Sequence, residues 1–239
     1  MLAVEPIGAI IEVAAKTVAK EAAKEAAKEL PRELVKRGVE AGKPIELKPQ
    51  YAKNYRKNLL ESDFKHLNDS KENFLNGKTP EARAAALNEI INSPAGKGQL
   101  GEITNKSYFE EFADVKTQVN HKDSRIDLYG EIKYKDKKIP CITEDGSPRS
   151  KYLLKGDKTT VEVKNGDARY IMKNLGQIEK QVKAGKEISD HSFLTIREDV
   201  YHDLSKSELE RLVAVVENAG GNVILHPGLD TQINVLLSA

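Results

Sequence analysis

Beyond residue 113 apolar and polar side chains alternate in short runs, over 115–119, 125–134, 159–164, 193–197 and 223–225. Such a period-two pattern, rich in Val, Ile, Thr, Tyr and Phe, predicts strands with one face buried. Before them, over 100–112, and between them, over 168–184 and 205–219, the period lengthens to that of a helix. The last of these opens with Ser205-x-x-Glu208, a capping box that satisfies two of the helix's first free N–H groups. Strands interspersed with helices in this order predict an α/β fold, a mixed central sheet flanked by helices, over 99–239.

The first 98 residues read differently. Helix formers dominate 13–40, with Glu and Lys at helical spacing but little beyond Ala to pack. This segment reads as a semi-rigid spacer or as an amphipathic stretch that touches a membrane or partner during delivery. Helices are also expected over 51–75 and 80–91, the second with Thr79 as cap and Pro80 in its first turn. An all-helical region over 1–98 therefore precedes the α/β domain. The apolar opening MLAVEPIGAIIEVAAK lacks a basic leader and is interrupted by Glu5, Pro6 and Glu12, so it reads as neither a signal peptide nor a membrane span.

Charge is nearly balanced, with 38 Lys+Arg against 37 Asp+Glu. No global field announces nucleic acid, and any such partner must be met by a local patch. One patch lies on an expected hairpin with a long tip, where residues 133–158 carry a net +4 that includes Lys151 and Lys155. Those lysines either hold phosphates or protect an exposed strand edge from aggregation. Cys141 is the only cysteine, which excludes an internal disulfide and a multi-cysteine zinc site. Five histidines show no close metal-ligand spacing.

Two motifs compete for attention. Gly96, Gly98 and Gly101 spell GxGxxG, but the segment before them, LNEIINSP, reads as a short helix ended by Pro94, not as the strand that a dinucleotide site requires. They are expected to form a flexible entry to a helix starting near Glu102.

The second is assembled from three segments. Glu102 sits in the helix GEITNKSYFEEF, Asp127 in the strand SRIDLYG, and Glu162 and Lys164 in TTVEVKNGD, where two-residue spacing puts both on one face. Neighbouring strands would bring Asp127 beside Glu162, with Glu102 laid over their ends. Carboxylates gathered this way either take up protons or bind a hard cation. A cation there polarises a phosphoryl oxygen, while Lys164 orients or deprotonates water and neutralises developing charge. Phosphodiester hydrolysis uses all four residues. Glu131-x-Lys133 repeats the E-x-K pattern but shares a strand with Asp127, so it cannot supply the neighbouring strand. Asp123 and Glu131 stand as substitutes for Asp127, and Asp167 as a turn residue or helix N-cap.

A Glu-bearing helix, an Asp strand, then Glu162-Val163-Lys164 followed by a helix resembles the PD-(D/E)XK nuclease superfamily, over about residues 99–225. The resemblance implies a restriction-endonuclease-like fold and metal-dependent cleavage of DNA or RNA. It implies Asp127 and Glu162 as metal ligands, Glu102 as accessory ligand and Lys164 as the water-activating residue. Mg²⁺ is the expected ion, with Mn²⁺ or Zn²⁺ able to occupy the same oxygen ligands. Gln177, Lys180 and the nearby Lys183 suit substrate contact. An Ala-rich helical region ahead of such a module resembles the C-terminal toxin portions of bacterial polymorphic and contact-dependent inhibition systems. This implies delivery as part of a larger toxin, action in a target-cell cytoplasm, and an immunity protein that docks on residues 131–158 by strand addition or charge. Two alternatives stay open: a noncatalytic module that presents the basic hairpin to nucleic acid or protein with Glu162 and Lys164 solvated, and a nucleotide-binding enzyme using 96–101.

Overall fold

In the computed structural model of this protein, residues 44–45, 52–62, 64, 67–144 and 149–238 are described. The expected helix over 13–40 lies outside them. The helices are α1 (Ala52–Glu61), α2 (Asn68–Asn76), α3 (Pro80–Asn92), α4 (Pro94–Phe109), α5 (Ala168–Lys173), α6 (Leu175–Ile188), α7 (Glu198–Asp203), α8 (Lys206–Asn218) and α9 (Leu229–Ser238). The strands are β1 (Ala113–His121), β2 (Ser124–Ile132), β3 (Lys137–Cys141), β4 (Arg149–Leu153), β5 (Lys158–Lys164), β6 (His191–Arg197) and β7 (Gly221–His226).

Five strands form a mixed sheet in the order β1-β2-β5-β6-β7. β1, β2 and β5 pair antiparallel, while β5, β6 and β7 run parallel. The alternation of β5 decides the layers. Val161 and Val163 join Tyr108 and Phe109 of α4 in one apolar cluster. Leu194 and Ile196 of β6 join Ile178 and Val182 of α6 and Leu212 and Val216 of α8 in another. Hence α4 covers one face of the sheet and α6 with α8 the other. The expected α/β class, a mixed sheet flanked by helices, is what the chain adopts. Among the described residues no helix is long and apolar enough to cross a membrane.

Capping follows the sequence closely. Thr79 accepts from Ala82 N–H at 3.2 Å, and Ser205 and Glu208 form both halves of the capping box. Asp167 is the N-cap of α5, accepting from Tyr170 N–H at 2.7 Å.

Several boundaries differ from expectation. The helix expected over 51–75 is two helices, because Ser62 turns both its hydroxyl and its N–H onto Asn58 C=O, and Asn68 accepts from Phe64 N–H to start the next. The helix over 168–184 breaks at Asn174, whose side chain donates to Tyr170 C=O. The helix before Pro94 ends as expected, at Asn92, but Pro94 also begins α4, which therefore takes in Gly96, Gly98 and Gly101. These glycines are not a flexible entry. A Cβ on Gly96 would lie 2.1 Å from Ile90 C=O, and one on Gly101 2.7 Å from Asn165 Cβ, so two of the three allow close backbone approach.

The break placed at 98/99 falls inside α4, and one compact unit runs from Glu40 to Ala239. Leu100 and Ile103 of α4 share a cluster with Tyr55, Leu59, Phe74 and Ile90, so the described helices before 98 belong to the sheet domain. The expected hairpin is a separate two-stranded sheet, β3–β4, inserted between β2 and β5. Its inner side brings Ile139, Cys141 and Leu153 into the α4-side core, and burial raises the Cys141 thiol to about 11.

Candidate active site

The β2–β5 ladder ends at Leu128 opposite Val161, with Asp127 and Glu162 one residue further along. There the backbone pairing gives way to side chains. Asp127 Oδ2 accepts from Val163 N–H at 2.9 Å, so the carboxylate occupies the place of a ladder carbonyl and is fixed by the backbone of the strand that carries Glu162. The Asp127 and Glu162 carboxyl groups also act on each other's protonation. Lys164 Nζ donates to Glu162 Oε1 at 2.5 Å and to Gln181 Oε1 of α6 at 3.2 Å. Gln181 in turn donates to Arg125 C=O, tying α6 to β2.

Burial decides how this group behaves. Glu162 is 3% exposed, Lys164 7% and Asp127 8%, so the E-x-K pair is not a solvated surface pair. Burial raises the Asp127 carboxyl, against the pull of the Val163 N–H and the Lys164 charge. Burial and then the Asp127 charge raise Glu162 well above the ordinary carboxylate range. For Lys164, burial works against the charge, but the Glu162 charge and hydrogen bond outweigh it and hold the ammonium protonated. Two carboxylates against one ammonium leave one negative charge uncompensated, and Glu162 Oε2 is buried with no hydrogen-bond donor. The group therefore calls for a proton or a cation.

A cavity of about 680 Å³ opens onto these residues. Of the expected site residues, Glu102, Asp127, Glu162, Lys164, Gln177 and Lys180 all line it. Lys151 and Lys155 do not line it: they sit on and just beyond β4. Lys183 and Glu131 do not line it either, and Glu131 pairs in register with Lys158 toward the other end of the sheet. Asp123 reaches the wall from the β1–β2 turn.

The expected convergence of three carboxylates is met by two. Among the described residues no group of three or more His, Cys, Asp or Glu side chains is placed to hold one ion. Glu102 stands on the cavity wall, where its Oε2 accepts from Gln118 Nε2 at 2.8 Å.

Three contributors escaped the sequence reading. Gln181, one turn beyond Gln177 on the same face of α6, was open to discovery by i,i+4 spacing. Gln118 lies inside a strand with φ 55°, which no sequence pattern announces. Asn165, next to Lys164, is the centre of a buried network. It accepts from His226 Nε2 at 2.8 Å and Gln232 Nε2 at 3.1 Å, donates to Lys97 C=O, and its own C=O receives Arg197 Nη1 at 2.9 Å. Compared with known proteins, the chain matches no family model, no curated protein and no solved structure.

Proposed function

We propose that this protein is a metal-dependent nuclease of restriction-endonuclease-like fold that hydrolyses phosphodiester bonds of DNA or RNA. The observation that carries the reading is the buried Asp127–Glu162–Lys164 group, one positive charge short, at the floor of an open cavity. The orphaned Glu162 Oε2 and the facing Asp127 carboxylate fit a hard divalent cation, and Mg²⁺ commonly takes one or two carboxylates and fills its remaining positions with water and substrate phosphate. Asp127 and Glu162 would hold it. When bound, such an ion supplies Lewis-acid polarisation of the phosphoryl group and a more acidic water. Mn²⁺ or Zn²⁺ suits the same oxygen ligands.

The chain's own residues do the rest. Lys164, kept cationic by Glu162, neutralises charge that develops on the phosphate and orients the attacking water. Glu102 offers its carboxylate from the wall as an acceptor for water in the cavity. Lys97, Arg125 and Lys180 line the cavity without an ion pair among the described residues, and so are available to phosphates on either side of the scissile bond. Gln177 adds a neutral hydrogen-bonding contact on the same wall. In this reading the protein is the toxic portion of a bacterial competition system, active in the target-cell cytoplasm, and requires an immunity protein that binds the β3–β4 hairpin.

The test is to incubate plasmid DNA and total RNA with the protein in Mg²⁺ or EDTA, beside Glu162→Ala and Lys164→Ala. The expected result is cleavage in Mg²⁺ alone, reduced by about 10²-fold or more in each variant. Cleavage that persists in EDTA, or that survives both substitutions, contradicts the assignment.

A further inference from the structure

Gln118 is the residue of β1 that stands across from Asp127: the register pairs Thr117 with Leu128 and Val119 with Ile126, and the position between them is left out of the ladder. In a regular antiparallel pair, opposite residues share a face. Gln118 would then project on the side of Asp127, the side covered by α6. Its backbone instead adopts φ 55°, a left-handed conformation uncommon for a residue with a Cβ and costly inside a strand. Its side chain donates to Glu102, which belongs to α4 on the other side of the sheet. The distortion and the redirected side chain are one event, since a kink within a strand re-aims the residue that carries it.

We propose that Gln118 is a positioning residue, held in a strained strand conformation so that its amide fixes the Glu102 carboxylate on the wall of the cavity that Asp127 and Glu162 also line. Two observations carry this beyond a chance contact. Glu102 lines both the main cavity and a neighbouring one of about 390 Å³ that Gln118 also lines, so the amide meets the carboxylate on the wall the two cavities share. The left-handed backbone is also kept at a residue that carries a Cβ, a cost that persists only where surrounding contacts hold it in place. The proposal rests on the reading of the cavity as a cation site.

Titration calorimetry with Mn²⁺ separates the possibilities, using the full chain, Gln118→Gly, Gln118→Met and each combined with Glu102→Gln. Gln118→Gly removes both the amide and the strain, while Gln118→Met keeps the length and loses only the hydrogen bond. The expected result is Mn²⁺ affinity about twofold to fivefold weaker in both single variants, less than the about tenfold loss on removing a direct partner of a ligand, because Glu102 acts through water in the cavity. The Tm of Gln118→Gly should be unchanged or raised, and neither variant should weaken binding further once Glu102 is Gln. Unchanged affinity in both single variants overturns the proposal, as does a loss that persists undiminished in the Glu102→Gln background. Wild-type protein that takes up no Mn²⁺ overturns the cation site itself and this proposal with it.

Discussion

Burying Asp127 and Glu162 side by side makes the folded chain hold protons that the unfolded chain releases. Both carboxyl groups are raised by folding, so their contribution to stability is fully present below the ordinary carboxylate range and is lost as pH climbs through the raised values. His226 works in the opposite sense. Complete burial lowers it to about 3, and its contribution disappears as pH falls from about 6.5 toward that value. Glu162→Gln isolates the first effect, because the amide resembles the protonated acid. In EDTA at pH 8 this variant is expected to melt at a higher temperature than wild type, with the gap closing toward pH 5. Wild type should in turn be stabilised by Mn²⁺, by about 2.7 kcal/mol at 100 times its Kd, and Glu162→Gln should lose most of that. Thermal melts across pH with and without Mn²⁺ check both. A variant less stable than wild type at pH 8 in EDTA would show that Glu162 carries no buried charge cost.

Helix α4 shows how one element carries several constraints in three glycines. Gly98 has nothing within 4 Å of where a Cβ would stand, whereas at Gly101 a Cβ would meet Asn165 at 2.7 Å and Val163 Cγ1 at 3.1 Å. Gly98→Ala is therefore expected to stabilise by about 0.5–1 kcal/mol through helix propensity. Gly101→Ala should destabilise by about 1–3 kcal/mol through overpacking against β5. Urea unfolding of the two variants reads the sign directly, and equal effects would deny that Gly101 sets the approach of α4 to the site. The strand over 159–164 was legible in the sequence because Val161 and Val163 alternate with the charged Glu162 and Lys164, although all four side chains are buried. Helix breaks at Ser62 and Asn174 were not, since a single side chain returning to the backbone leaves the surrounding periodicity intact. Pro94 misled because proline both ends one helix and starts another, and only the Ser93 turn between α3 and α4 distinguishes the two.

At the scale of the whole chain, the sheet order places β5 at the centre, antiparallel to β2 and parallel to β6, so that residues 35 apart meet at one position. The placement of Asp127, Glu162 and Glu102 on one cavity followed from residue type and strand order read in the sequence, and that of Gln177 and Lys180 from the family resemblance. The Gln118–Glu102 hydrogen bond, the Asn165 network and the position of Lys151 and Lys155 outside the cavity lining did not. They depend on a backbone distortion, on contacts between residues more than 60 apart, and on the hairpin folding as its own sheet. The division at 98/99 failed for a related reason, because a change in composition marks where strands begin and not where packing stops. The central claim is that folding brings Asp127 and Glu162 together to hold a divalent cation. Crystals grown with Mn²⁺ and measured for anomalous scattering test it most directly. The account predicts a single strong peak contacting Asp127 and Glu162 that vanishes in Asp127→Asn; a peak elsewhere, or none at these carboxylates at saturating Mn²⁺, would contradict it.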